Sequence, residues 1–500
     1  MRFAIIGLFA LSSLCAVAQP GGGSAAPAHQ NTLLNQSFWQ AAPDVAAVKA
    51  EVAKGHSTSE MNAGSFDPVV LAINAGAPTE TILYMIEQNG NDVNRITHDS
   101  RTYIFWAANK GNTDVMKYLL SKGAKTNVQD SHGASPLTFA AGAGQKNTAV
   151  YDLLIANGVD LKKDMNHDGA NALLLSVGND PELALAGYFE SKGIALNSKD
   201  AAGNTAFNYA ARAGNISVMK KLLAKGIKPT DNAMVMAAMG SRQGPAKMEV
   251  YQYLESLGIK PSVVNKTGSN ALHYLVRRPG QAELVKYFLG KGTNVNQADE
   301  DGNTVFISAA AGNAELATIE LLQPTVKDIN AANKAGATAL AMAVRNNSAE
   351  VVQYLLDKGA NINAVDAKGN NLAYYLVDAY TPQQAARFDS KLKLLQDKGF
   401  KLNAPQKDGN TLYHLAVAKN NLDLLKKIAP FGADVNARNK EGITALHKAA
   451  MISKNDAVLR YLLEQGAAKD AKTEFDETAF DLARENEFLT GAKISVDFLK

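Results

Sequence analysis

The stretch Asp164-Met-Asn-His-Asp-Gly169 puts acidic and amide side chains at alternate positions ahead of a glycine, as the start of a calcium-binding loop does. Such a loop also needs a carboxylate at its twelfth position that grips the ion with both oxygens, and the twelfth residue here is Leu175. Asp-Gly favours a tight hairpin, because the central positions of that turn take residues that tolerate positive φ. The stretch is therefore expected to be a turn. Three of the eight histidines, His273, His414 and His447, occupy one slot of a phrase that recurs far apart along the chain, so they do not converge on a metal. His132 and His167 lie at turn tips and are expected in solvent, although a site joining them across neighbouring units is geometrically conceivable. There is no phosphate-cradling G-x-x-x-x-G-K-[ST], no G-x-G-x-x-G after a strand, no H-E-x-x-H and no G-x-S-x-G. With no marked pair of carboxylates either, a non-enzymatic protein without cofactor or metal is expected.

The composition, 46% hydrophobic and 20% charged, is that of a folded chain. A formal net charge of +3 on 500 residues gives no hint of nucleic acid or an anionic membrane as partner. The N-terminus carries Arg2, an apolar run from Phe3 to Leu14, and Ala16-Val17-Ala18. That pattern predicts a signal peptide over residues 1–18, cleaved after Ala18, and a chain in the periplasm or secreted. A lipid anchor on Cys15 is the weaker alternative, since Leu14 stands where such sites want a small residue. Cys15 is the one cysteine, so its loss with the leader would exclude disulfides, thiolate metal sites and cysteine catalysis. Residues 19–34, rich in Gly, Pro and Ala at their start, read as a flexible tether. No later run is long and apolar enough to span a bilayer.

The elements that carry these residues repeat. Phrases such as GASPL, GANAL, GNTAF, GSNAL, GNTVF, GATAL, GNTLY and GITAL begin at Gly133, Gly169, Gly203, Gly268, Gly302, Gly336, Gly409 and Gly442, with the looser GNNLA at Gly369. Successive glycines stand 36, 34, 65, 34, 34, 33, 40 and 33 residues apart, the 65 being two units with one turn missing. A second phrase keeps step: YLLSKGA from Tyr118, KLLAKGI from Lys221, YLLDKGA from Tyr354, YLLEQGA from Tyr461. Between the phrases lie two short amphipathic segments, so each unit reads as turn, helix, reversal, helix and glycine stop.

In ASPLTFAA, ITALHKAA and YLLDKGANINAVDAKG the chain resembles the ankyrin repeat family. The resemblance covers 35–500, about 13–14 units with degenerate ends that serve as caps. It implies an all-α solenoid of tandem helix-turn-helix units with β-hairpin turns, forming one long array. The resemblance also implies that the recurrent histidines bond neighbouring backbone, and that a protein partner sits on a concave face of hairpin tips and first helices. The residue after the histidine slot faces that surface: Trp106, Phe139, Tyr209, Met236, Tyr274, Met342, Tyr375 and Leu415, beside Arg212, Arg277, Arg278 and Arg345. The same stripe has an alternative reading as repeat core.

Two departures from regularity stand out. Between Gly226 and Ala237 the unit lacks its hairpin, which divides the array into possible lobes 35–228 and 229–500, with Thr230 or Asp231 as cap of the next helix. Extra residues fall at helix reversals near Gly142, near Gly240 and from Asp378. The expected function is an exported, monomeric interaction scaffold with one concave binding face. The alternatives are a periplasmic accessory factor for an exported enzyme, and a secreted effector directed at a host.

Overall fold

The computed structural model describes residues 31–312 and 315–500. The expected signal peptide and the tether as far as residue 30 lie outside the described residues. Residues 31–34 are folded: Thr32–Leu34 forms a 3-10 turn, Leu33 is fully buried, and the Trp39 indole N–H donates to the Leu33 carbonyl at 2.8 Å.

Among the described residues the secondary structure is helical, with isolated β-bridges and no sheet. Most units begin with a hairpin, commonly closed by its own first side chain. At Asp200 the backbone N–H donates to the Asn204 carbonyl at 3.1 Å, and the Asn204 N–H donates back to Asp200 Oδ1 at 2.8 Å. Gly203, at φ +86°, supplies the left-handed residue that this closure needs. Asp130, Asn166, Asn265, Asn333 and Asp366 close their hairpins in the same way. The stretch at Asp164 is therefore a turn: Asn166 Oδ1 accepts from the Asp168 and Ala170 N–H groups at 3.1 and 2.9 Å. Among the described residues, three hairpins have a non-glycine at the left-handed position: Ser65 at φ +59°, Ser100 at φ +61° and Asp476 at φ +63°. Those are the units in which a search for the glycine phrase finds no turn.

The first helix of a unit starts at a Thr, Asn or Asp cap, as where Thr338 Oγ1 accepts from Ala341 N–H and Asp67 Oδ1 from Val70 N–H. The second ends in paired bonds that occupy its last carbonyls. Ala360 N–H donates to Leu355 O and Gly359 N–H to Leu356 O, both at 3.0 Å, with Gly359 at φ +89°.

The described chain forms two compact units. One holds the residues up to Ala140 together with Asn147–Val159, and the other holds Ala141–Lys146 together with Asp160–Lys500. Within the first, the helix Tyr103–Lys110 packs on Pro68–Ala75 and on Thr113–Ser121 around Phe105, Met116 and Leu119, all fully buried. Within the second, first helices stack in succession: Ala206–Arg212 on Ala233–Met239, then Ala271–Leu275, Val305–Ala311, Ala339–Asn346 and onward to Ala479–Glu485. One helix pair has too little apolar surface to cover itself, and stacking turns its exposed flank into shared core.

The unit after Gly226 has no hairpin; residues 228–232 lead straight into Ala233–Met239. Asn208, fully buried, takes the slot that other units give to histidine and fills the space. Its amide donates to Thr230 Oγ1 at 2.6 Å and its oxygen accepts from Thr230 N–H at 3.1 Å. The expected cap from Thr230 or Asp231 is not made. The N-cap residue is Asn232, whose side chain bonds Asn204 instead.

The extra residues near Gly240 form a tight turn, with Ser241 and Gly244 bridged. Arg212 Nε donates to Gly240 O at 2.9 Å, and Arg278 Nη2 to Met239 O at 3.1 Å. The extra residues after Asp378 lead into a second helix of 13 residues, Ala385–Asp397. It carries Arg387 and Lys391 to the C-terminal end of the helix Ala339–Asn346. There Arg387 donates to the Asn346 and Asn347 carbonyls, and Lys391 Nζ to those of Val344 and Arg345. Two cations thus satisfy carbonyls left open at a helix end, where the helix dipole favours positive charge.

Candidate functional site

The recurrent histidines are bolts between repeats. In His414, Nδ1 accepts the Thr411 N–H at 3.2 Å while Nε2 lies 2.9 Å from the Ile443 carbonyl of the following unit. A backbone N–H can only donate and a carbonyl only accept, so the proton sits on Nε2 and the ring is neutral. His273 and His447 make the same pair of bonds, reaching Asn303 O at 3.2 Å and Ala471 O at 2.8 Å. Burial lowers the pKa of all three.

The residue that follows the histidine slot stands nine positions after the first residue of its hairpin, and at several units it reaches back to that residue. Tyr209 Oη donates to Asp200 Oδ2 at 2.9 Å, Tyr375 Oη to Asp366 Oδ2 at 2.9 Å, and Trp106 Nε1 to Thr97 Oγ1 at 3.0 Å. These three side chains, with Met236, are buried, and burial raises the phenol pKa of both tyrosines. They hold the hairpin against the first helix and offer little area to a partner. Phe139 is half-buried, with the Arg101 guanidinium 4.2 Å above its ring. Arg212 is committed to Gly240, and the exposed Arg345 is held by Asp378 at 2.7 Å. Met342 and Tyr274 remain partly exposed, and Arg277 is exposed.

Tyr274 is the odd member of the stripe. Its hairpin opens with Asn265, whose Oδ1 already accepts from Thr267 and Ser269, and no described residue bonds the Tyr274 hydroxyl. The ring instead lines a cavity of about 150 Å³ with Thr267, Ser269, His273, Arg277, Asp299, Glu300, Asp301 and Ser308. All of them belong to the second compact unit. The cavity sits between two successive hairpins joined by Glu300 N–H donating to Thr267 O at 2.7 Å. Its walls are polar, and its lining includes one arginine, Arg277, and three consecutive acidic residues. Of the expected binding residues, this cavity brings together Tyr274 and Arg277.

The first unit holds an ionic cluster not visible as a motif. Asp99 Oδ2 lies 3.0 Å from Arg101 Nη1, 3.3 Å from His98 Nε2 and 3.4 Å from His132 Nε2, while Arg101 Nη2 pairs with Asp130 at 2.8 Å. His132 thus meets Asp99 of its own compact unit. Asp99 is left-handed, at φ +56°, and sequence spacing gives no sign of the cluster. Among the described residues no group of His, Cys, Asp and Glu is arranged to hold a metal ion, and no helix is long and apolar enough to cross a membrane.

The chain is 24% identical over 389 residues to alpha-latroinsectotoxin-Lt1a of Latrodectus tredecimguttatus, which covers 72% of this chain and 26% of the toxin. It is 34% identical over 155 residues to the nuclear factor NF-kappa-B p105 subunit of Gallus gallus, covering 30% of this chain and 15% of that protein. The human ASB11 ankyrin repeat domain aligns with 45% of this chain and 97% of its own, at 22% identity and a TM-score of 0.38. The family model for ankyrin repeats in three copies matches residues 69–163, 272–366 and 413–494, more than half of the sequence. With hairpin, paired helices and glycine stop recurring through those same residues, the chain belongs to the ankyrin repeat family.

Proposed function

We propose that this protein is a non-enzymatic interaction scaffold, exported to the periplasm or beyond, that binds another protein on the side of the array formed by hairpins and first helices. Ankyrin repeats in general serve protein–protein interaction. The observation that carries the placement is the division of the aromatic stripe. Trp106, Tyr209 and Tyr375 are used up in holding hairpins, whereas Tyr274 and Arg277 are left open in a cavity. A surface held rigid by buried bonds loses little ordering entropy when a partner docks. Export rests on the leader-like residues 1–18.

The test is crosslinking capture from the exported fraction with the full chain, compared with a Tyr274→Ala, Arg277→Ala, Met342→Ala variant. Trp106 and Tyr209 are left intact because truncating a buried aromatic costs about 3–5 kcal/mol and would confuse unfolding with lost binding. A protein captured by the wild type and lost by the variant supports the reading. Equal capture by both moves the surface elsewhere, and recovery of the protein only from the cytoplasm overturns export.

A further inference from the structure

Resting on that reading, we propose that the cavity beside Tyr274 receives one cationic side chain, lysine or arginine, from an extended segment of the partner, and that Arg277 takes a carboxylate close to it in the same segment.

Size limits the occupant first. Sites for cofactors and drug-sized ligands enclose about 300–1,000 Å³, and this cavity, at about 150 Å³, has room for a single side chain. The second observation is a pair of hydroxyls without a partner among the described residues. Ser269 and Ser308 are 6% and 8% exposed and line the cavity, and neither hydroxyl bonds any described residue. A helical serine such as Ser308 has a carbonyl one turn back within reach, yet both hydroxyls remain unbonded and accessible from the cavity. Two such groups facing one void mark a place where an incoming donor would be bonded. The Tyr274 hydroxyl, left free by its hairpin, is a third.

Charge then selects the occupant. Asp299 is engaged in its hairpin, accepting from the Asp301 and Asn303 N–H groups. Glu300 and Asp301 are exposed, and no described cation lies within ion-pairing distance of any of the three carboxylates, including Lys266 and Lys334 on the adjoining hairpins. A cation with several N–H donors meets carboxylates and hydroxyl oxygens at once. Arg277, also without an ion pair among the described residues, opposes a purely basic segment and favours one of mixed charge.

The test uses the full chain and three fluorescently labelled, end-blocked hexapeptides in an alanine background: one with Arg and Glu two positions apart, one with two Arg, and one with two Glu. Anisotropy at low salt is expected to rank the mixed peptide first and the acidic peptide last. Glu300→Gln with Asp301→Asn, whose exposed carboxylates take no part in the hairpin's bonds, should weaken the mixed peptide at least tenfold. Arg277→Ala should weaken the mixed peptide and leave the two-Arg peptide unchanged or tighter. Circular dichroism of each variant separates these losses from unfolding. Equal affinity of the wild type and the acid-neutralised variant overturns the proposal, as does preference for the acidic peptide. If the peptides fail while crosslinking still captures a partner that depends on Tyr274, the occupant is wrong and the scaffold reading stands.

Discussion

At the scale of single residues, the same side chain types do different work according to what the neighbouring repeat leaves unsatisfied. His414 links one helix start to the next unit through two bonds that the neutral ring alone can make. Protonation would turn a second N–H on the Thr411 N–H, and burial disfavours the charge, so its folded pKa lies below 6.5. The unfolded imidazole takes up its proton near pH 6.5 and the folded one only at lower pH, so the unfolded state binds more protons in between. Stability present above pH 6.5 is therefore lost as pH falls through the lowered value, and His273 and His447 add to the same slope. His414→Ala should lose about 1–3 kcal/mol at pH 7.5, because Ile443 O is left without its donor. Urea midpoints at pH 7.5 and 5.5 should then lie closer together in the variant than in the wild type. An undiminished difference would place the acid sensitivity in other groups.

At the scale of elements, irregularities are where repeats are customised. The lengthened helix Ala385–Asp397 buries Lys391, 3% exposed, against the end of a neighbouring helix. Desolvation, with Arg387 adding repulsion, pushes its amine down to about 8. A base with a lowered folded pKa binds fewer protons folded than unfolded, so stability should rise with pH from about 8 to about 10.4, where the unfolded amine titrates. The gain is about 3 kcal/mol, and Lys391→Met should abolish it in denaturation midpoints measured across that range. The presence of extra residues was legible in the 40-residue spacing from Gly369 to Gly409. Their use was not, because a helix-capping lysine looks like any lysine until the carbonyls it meets are in place. The repeated turn, helix pair and glycine stop were legible, since each depends on local chemistry, and so was the missing hairpin before Ala237. What each member of the aromatic stripe bonds was legible only in part. Periodicity identifies Tyr209 and Tyr274 as equivalent, yet Asp200 at one hairpin and Asn265 at the other decide which hydroxyl is bonded and which is left in a cavity. That distinction needs the pairing across nine residues, not the spacing alone.

At the scale of the whole molecule, a repeat array derives its stability from nearest-neighbour terms, so a lesion should be felt locally. The sequence places reporters for this. Its two tryptophans, Trp39 and Trp106, are both buried and both lie in the first compact unit. Tryptophan fluorescence therefore follows the environment of residues up to Ala140 and Asn147–Val159, whereas far-ultraviolet circular dichroism follows helices throughout. His414 belongs to the second unit, many repeats along the chain. If neighbour terms govern, His414→Ala should lower the dichroism midpoint in urea while the fluorescence midpoint stays within error of wild type, and the two wild-type curves should not superimpose. Coincident curves that shift together would mean that a missing bond at one repeat is transmitted along the entire array. The surface proposed around Tyr274 would then be as sensitive to distant substitutions as to its own, and variants there would have to be judged against a global stability scale.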